Sequence, residues 1–558
     1  MLKNKIYNPT SLTVFLLAAL TLPVVILTYT ERNPFWMAVS ALLLPVGFYT
    51  VFAGLSSRSG RMVWWSFPFI FFSAFQIVLS YLFGNSVVAA DMFLNITTTN
   101  TGEASELLSN IYPSVIFIFA LYLPLLWLGY EHQRRGLRLS DVVRRRLIKS
   151  GLVTMGVGCL TLVLGCKGEV RHTLRDEVFP INATYNLCLA VSQAHKTANY
   201  LETSAGFSYK AECNDSTSQR ELYVLVIGEA SRAASWQLYG YERETTPLLS
   251  AREDLIVFSN VVTQNNTTHK SVPMMLSSVH TSEYKELFKR KGIPALFNEA
   301  GFRTYFISNQ APQGALIDHI ASDASVVEYI TAPQHDYAVV EQLKRILRED
   351  SSQRLLVILH TYGSHFSYHQ RYPRQWAHFT PDEDVAITRR NMEHIRNAYD
   401  NSIRYTDYVL NSIIETLAAE DICSAMYYCA DHGEDLFDNE DGRFLHASPT
   451  TTYYQLHVAS LAWFSPAYRQ HYGEKVAAAH SNASAPASTH SVFHTMADIA
   501  SIRSPYLREC SSLVNEGFDR NAKRYYLSDH NEAVALNREI GIDKEQEALF
   551  NKAGISLQ

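Results

Sequence analysis

The chain carries little net charge, −6 over 558 residues, and no part of it resembles a nucleic-acid-binding patch, so nucleic acid is not expected as a partner. Cysteines are few. Of seven, Cys159 and Cys166 fall in an apolar run, which leaves Cys188, Cys213, Cys423, Cys429 and Cys510 for a water-exposed part. Cys423 and Cys429 bracket an apolar strand, and at about 3.3 Å per residue they stand too far apart to bridge each other. The first apolar run is not expected to be a cleaved signal peptide, because others follow it too closely. Finally, residues 84 to 111 contain no Lys or Arg at all.

What is present divides the chain by composition. Five apolar stretches, roughly 11 to 28, 34 to 55, 62 to 83, 112 to 130 and 147 to 166, are long enough to cross a bilayer. Lys3 and Lys5 precede the first, Arg58 and Arg61 lie between the second and third, and seven basic residues from Arg134 to Lys149 lie between the fourth and fifth. The positive-inside rule then puts the amino terminus in the cytoplasm and both the 84 to 111 loop and everything after 166 on the outer side. The expected organisation is a five-helix transmembrane domain over 1–167, a linker with an amphipathic helix over 168–219, and a catalytic domain over 220–558. Leu187, Val191, Ala194, Ala198 and Leu201 supply the apolar face of that linker helix.

In the soluble part, apolar runs rich in Val, Leu and Ile alternate with helical periodicity, which predicts an α/β domain with a central, mostly parallel sheet flanked by helices. Chemistry-bearing residues gather where those runs stop. ELYVLVIG ends at Glu229, MYYCA ends at Asp431 and His432, and RLLVILH leaves His360 and His365 at or beyond its end; His446 follows the Asp441-Gly442 turn. Ligands of open α/β sheets sit outside the carboxyl ends of the strands. Between the first of these and the rest lies TQNNTTHKSVP, where Thr267, Thr268 and Ser271 are candidate nucleophiles delivered to a helix amino terminus. Two carboxylates and an imidazole fill three corners of a tetrahedral Zn²⁺ site, and the metal could ionise an alcohol bound at the open fourth. In the 84 to 111 loop, Asn95, Thr99 and Glu103 recur every four residues and would share one helix face.

The ordered motifs GEASR, the threonine loop ending in SVP, LHTYGSH, YDNSIRYTDY, ADHGED and FLHASP, with LYGYERETTP and YFISNQ, resemble the membrane-bound phosphoethanolamine transferases of the alkaline phosphatase and sulfatase superfamily. The resemblance implies Thr268 as nucleophile, with Glu229, Thr268, Asp431 and His432 on Zn²⁺. It places His365 and His446 at the substrate phosphate or a second zinc, and Asn95, Thr99 and Glu103 at the lipid head group. It further implies a multi-pass, monomeric protein of the inner membrane with its catalytic domain in the periplasm. The donor would be phosphatidylethanolamine and the acceptor lipid A or the lipopolysaccharide core. A phosphoglycerol transferase, or another phosphotransferase acting on an envelope glycan, is the alternative. A sulfatase activity is not expected, since no cysteine begins the Cys-x-Pro-x-Arg pattern from which formylglycine is made. Two departures stand out: Gln264 and Met274 occupy the positions of a disulfide that holds the family's nucleophile loop, and Gln313 replaces a substrate-contacting lysine.

Overall fold

The computed structural model describes residues 7–31, 33–83, 87–98, 101–166, 168–213, 219–330, 335–438, 442–448, 450–537 and 540–557. The chain forms two compact units, the first mainly Met1–Ile96 and Thr101–Val191, the second mainly Ser192–Asp438 and Leu445–Gln558.

In the first unit the apolar runs become helices α1 (Pro9–Thr30), α2 (Phe35–Gly54), α3 (Ser59–Trp65), α4 (Phe67–Phe83), α5 (Ala90–Thr98), α6 (Thr101–Arg134) and α7 (Asp141–Gly165). Among the described residues four helices are long and apolar enough to cross a membrane, and the pair α3 and α4, bent by 57°, makes a fifth if it is one span. The third expected run is therefore broken. Pro68 has no N–H to continue the ladder, and the Ser66 N–H closes the first segment on the Met62 carbonyl at 3.0 Å. The fourth run matches the candidate span Ile111–Arg134, and the helix that carries it starts earlier, at Thr101.

Helices α2 and α7 run antiparallel, with Gly54 against Ile148 and Gly165 against Met37. Midway, a Cβ on Gly151 would stand 2.8 Å from the Gly47 carbonyl oxygen and 2.8 Å from the Val51 nitrogen. Lipid tails are as apolar as Leu, so a helix pair in a bilayer is held by close backbone approach, and only glycine permits this one.

Helix α8 (Ile181–Ala198) forms where the linker helix is expected, but Val191, Ala194 and Ala198 of the expected apolar face are exposed and Leu201 lies beyond the helix; Gln193 instead packs within the second unit, accepting a hydrogen bond from Asn531 at 2.8 Å. The second unit is built on strands β1 (Glu221–Gly228), β2 (Leu255–Val257), β3 (Arg303–Ser308), β4 (Val326–Tyr329), β5 (Arg354–His360), β6 (Cys423–Ala430) and β7 (Ser460–Phe464), in the order β2-β7-β6-β1-β5-β3-β4. The run from β6 through β4 is parallel, and β7 is antiparallel to both of its neighbours. Strands β1 and β6 are buried at every position, which is why they read as unbroken apolar runs. Their register pairs Gly228 with Ala430 and Ile227 with Cys429 and His360. The residues that follow β6, β1 and β5 thus emerge side by side. Helix α9 (Thr268–Met275) and the long helix α10 (Met392–Ala418) complete the frame of the site; α10 starts later than residue 387 because a 3-10 turn at Arg389–Asn391 precedes it.

Candidate active site

Register alone brings Glu229 and Asp431 together, and the Asp431 N–H donates to the Gly228 carbonyl at 2.9 Å. Glu229, Asp431 and His432 are fully buried, and one ligand atom from each lies within 4.8 Å of the others. His432 Nε2 stands 3.3 Å from Glu229 Oε1 and 3.3 Å from Asp431 Oδ2. The hydroxyl of Thr268, first residue of α9, completes the cluster: Oγ1 is 3.1 and 3.2 Å from the two Glu229 oxygens and 3.1 Å from His432 Nε2.

The other two hydroxyls are committed elsewhere. Thr267 Oγ1 donates to Asn265 Oδ1 at 2.6 Å, and Ser271 Oγ donates to the Asp431 carbonyl at 2.6 Å. Of the three candidate nucleophiles, Thr268 alone has its hydroxyl on the carboxylates.

The polar bookkeeping of this cluster fits a divalent cation. His432 Nδ1 lies 3.0 Å from the Gly433 carbonyl, which can only accept, so the proton sits on Nδ1 and Nε2 turns toward two carboxylates. A lone pair there would face negative oxygens unless a positive charge intervened. Burial opposes a charged ring, but the Asp431 and Glu229 carboxylates outweigh it and lift the His432 pKa to about 10, so without a metal a proton takes the cation's place. Burial and the neighbouring Glu229 charge push the Asp431 carboxyl up to about 8. Burial likewise opposes ionisation of Glu229, yet its hydrogen bond to His432 holds that carboxyl below the usual range. Asp431 Oδ1 accepts from the Ala230 and His432 N–H groups at 3.1 and 2.7 Å, whereas the buried Oδ2 accepts no hydrogen bond among the described residues. Such an orphaned oxygen is costly unless an ion takes it. Glu229, Asp431, His432 and Thr268 would hold Zn²⁺ as a donor set of two carboxylates, an imidazole and a hydroxyl.

A second layer lies beside it. The His446 ring is 4.1 Å from that of His432, and its Nδ1 is 3.0 Å from Oε1 of the buried Glu434. Burial, with the His432 charge adding to it, drives the His446 pKa well down, and burial lifts Glu434 to about 8. His365 Nδ1 lies 2.7 Å from the Phe366 carbonyl, and its charge is felt by both Glu229 and Glu434. His360 closes a cleft shared with Thr268, Ser308, Gln310, Gln313 and Asp318. Its Nδ1 is 3.1 Å from Ser308 Oγ, and burial lowers its pKa to about 4.

Several supporting residues escape a reading of the sequence. Glu434 sits in the same ADHGED motif as Asp431, where a third carboxylate was the available signal. Gln310 donates to Glu229 Oε2 at 3.2 Å and to the Thr361 carbonyl at 2.9 Å. Arg232, buried, donates to Asp438 Oδ2 at 2.6 Å and to the Glu434 carbonyl at 3.2 Å, tying the segment after β6 to the turn after β1. Gln310 closes YFISNQ and Arg232 closes GEASR, but nothing local gives their partners; only the fold aims them. The loop that carries Thr268 is held by hydrogen bonds. Gln264 Nε2 donates to Thr281 Oγ1 at 2.9 Å, its N–H donates to Thr489 Oγ1 at 3.1 Å, and Met274 is wholly buried.

The head-group triad stands differently. Asn95 lies half-buried on α5 and Glu103 lies on α6, two separately bounded helices, while Thr99 is outside the described residues.

The sulfatase family profile matches residues 221–502. The phosphoethanolamine transferase EptA of Salmonella typhimurium is 28% identical over 309 residues, 53% of this chain and 56% of that protein, so the chain spans about half the length of the relative it matches. The lipooligosaccharide phosphoethanolamine transferase A of Neisseria meningitidis, an integral membrane protein, shares the fold over 91% of this chain and 98% of its own, with a TM-score of 0.73 at 24% identity. The C-terminal periplasmic domain of Escherichia coli EptC, solved in complex with Zn, matches 58% of this chain and 94% of its own with a TM-score of 0.53 at 24% identity.

Proposed function

The chain belongs to the sulfatase family, and from that premise we propose that it is a phosphoethanolamine transferase working through Zn²⁺ and a threonine nucleophile. The supporting observation is the Thr268 hydroxyl, placed 3.1 Å from both Glu229 Oε1 and His432 Nε2 at the open corner of a buried Glu-Asp-His cluster. Zn²⁺ held by Glu229, Asp431, His432 and Thr268 would supply the positive charge that lowers the pKa of the threonine hydroxyl.

The chain's own groups then do the following. Thr268, its hydroxyl proton released to water, bonds through Oγ1 to the phosphorus of phosphatidylethanolamine as the bond from phosphorus to the diacylglycerol oxygen breaks, and the departing oxygen takes a proton from a nearby imidazole. His446 suits this step as a relay: Glu434, whose carboxyl burial lifts to about 8, hands a proton to Nδ1 as Nε2 gives its own to the departing oxygen. His365 lies on the same side and contacts the phosphoryl oxygens. In the second half an acceptor oxygen attacks the phosphoethanolamine-threonine ester and releases Thr268. Asn95, Thr99 and Glu103 receive the lipid head group, and lipid A or the lipopolysaccharide core is the acceptor. The helices of the first unit lie in the inner membrane and the second unit lies in the periplasm.

Labelled phosphatidylethanolamine tests the mechanism. The wild type should retain label on protein in the absence of acceptor, and Thr268→Ala should retain none. Label on the alanine variant equal to wild type would refute a threonine intermediate. Mass spectrometry of lipid A from cells with and without the protein then assigns the acceptor: an added phosphoethanolamine supports lipid A, and an unchanged lipid A moves the acceptor to the core.

A further inference from the structure

The YDNSIRYTDY stretch takes no part in the chemistry above, yet its residues on α10 touch both turns that carry it. Tyr399 is fully buried, and its hydroxyl donates to the Ala230 carbonyl at 2.6 Å and accepts from the Arg232 N–H at 3.0 Å. Ala230 directly follows Glu229 and has φ +50°, a left-handed conformation that a non-glycine residue holds only when its surroundings impose it. With its carbonyl fixed by Tyr399, the Ala230 N–H is turned to Asp431 Oδ1 at 3.1 Å. One hydroxyl thereby fixes the Ala230–Ser231 peptide, and through the left-handed Ala230 it sets the preceding peptide, which joins Glu229 and donates its N–H to the second carboxylate. One turn further along α10, the Ser402 hydroxyl is 2.8 Å from that of Ser364, the neighbour of His365, and the Ser364 N–H donates to the Glu229 carbonyl at 3.0 Å.

We propose that Tyr399 is a positioning residue for the metal-binding carboxylates: its hydroxyl clamps the Ala230 carbonyl, Ala230 keeps its left-handed turn, and Glu229 and Asp431 converge. The inference rests on the metal reading given above. It concerns affinity for the ion as well as turnover, because groups that orient metal ligands from behind are worth about 10- to 100-fold in metal affinity or activity.

The test uses the full chain in detergent, stripped of metal and titrated with Zn²⁺ against a chromophoric chelator. Tyr399→Phe keeps the ring, which packs 5.1 Å from Tyr368 and 5.4 Å beneath the Arg232 guanidinium, and removes the hydroxyl alone. It should weaken Zn²⁺ binding about tenfold and lower kcat, with KM for the lipid donor unchanged. Asp431→Asn separates failure of the clamp from failure of the metal reading. If the wild type binds Zn²⁺ no better than Asp431→Asn, the metal reading itself fails. If those two differ but Tyr399→Phe binds like wild type, the clamp is overturned.

Discussion

Gly363 offers a sharp test of the site's construction, because two separate physical costs meet there. It lies between β5 and His365 with φ +54°, and its N–H donates to Asp336 Oδ2 at 2.7 Å. A Cβ at this position would stand 2.6 Å from the Glu229 carbonyl oxygen and 2.8 Å from the Glu229 nitrogen. Those are backbone atoms of a residue clamped on both sides, so they cannot move aside as a flexible side chain would. Gly363→Ala therefore incurs about 1–2 kcal/mol for the left-handed conformation and about 1–3 kcal/mol for overpacking, roughly 2–5 kcal/mol in total. Gly301→Ala is the control, since Gly301 has φ +86° and no atom within 4 Å of the added Cβ; it should show only the first cost, about 1–2 kcal/mol. Urea unfolding of the two variants beside wild type measures the difference, and a Zn²⁺ titration of Gly363→Ala should show weakened binding, because the shift falls on Glu229. Equal destabilisation by the two substitutions, with Zn²⁺ affinity unchanged, would refute the claim that the Gly363 turn and the Glu229 ligand are packed as one piece.

Two further outcomes are expected. Gln264→Leu removes the side-chain hydrogen bonds to Thr281 and from Thr489 but keeps the backbone one to Thr489, so it should cost about 1–3 kcal/mol in urea unfolding and lower the yield of phosphoethanolamine-threonine; a neutral result would mean that Met274 and its neighbours hold the loop by packing alone. His457 gives a pH signature away from the metal cluster. Its Nε2 donates to the Ser259 carbonyl and its Nδ1 accepts from the Tyr453 hydroxyl, both at 3.0 Å, and burial lowers its pKa to about 4. The unfolded chain binds a proton near pH 6.5 that the native state refuses, so this contribution to stability is present above pH 6.5 and is lost as the pH falls toward 4, by about 3 kcal/mol in total. Urea midpoints between pH 4 and 7 should fall accordingly, and His457→Gln should flatten the slope.

Much of this protein is written locally in its sequence. Apolar runs of membrane length, unbroken Val, Leu and Ile strands and the helical spacing of α10 each depend on residues within one element, so periodicity reveals them. Glu229, Asp431, His432, His365 and His446 could be marked as candidates because each follows an apolar run, and loops at strand ends are where open sheets place their chemistry. The break at Ser66 was hidden because the run around it stays apolar; the missing N–H of Pro68 bends the helix without changing the hydropathy.

Tertiary structure decided the rest. Thr267, Thr268 and Ser271 are chemically alike in the chain, and only the start of α9 puts one hydroxyl on the carboxylates and ties the other two to Asn265 and the Asp431 backbone. Glu434, Gln310, Arg232 and Tyr399 sit inside the ADHGED, YFISNQ, GEASR and YDNSIRYTDY motifs, but the chain does not show what they touch, since their partners are brought close only by the strand order. Ala230 and Asp431 are 201 residues apart and meet because β1 and β6 are neighbours in register. Periodicity acts over a few residues and fixes elements, whereas strand order and register are won by the burial of the whole sheet, and only that cooperative choice turns scattered acids and imidazoles into one site.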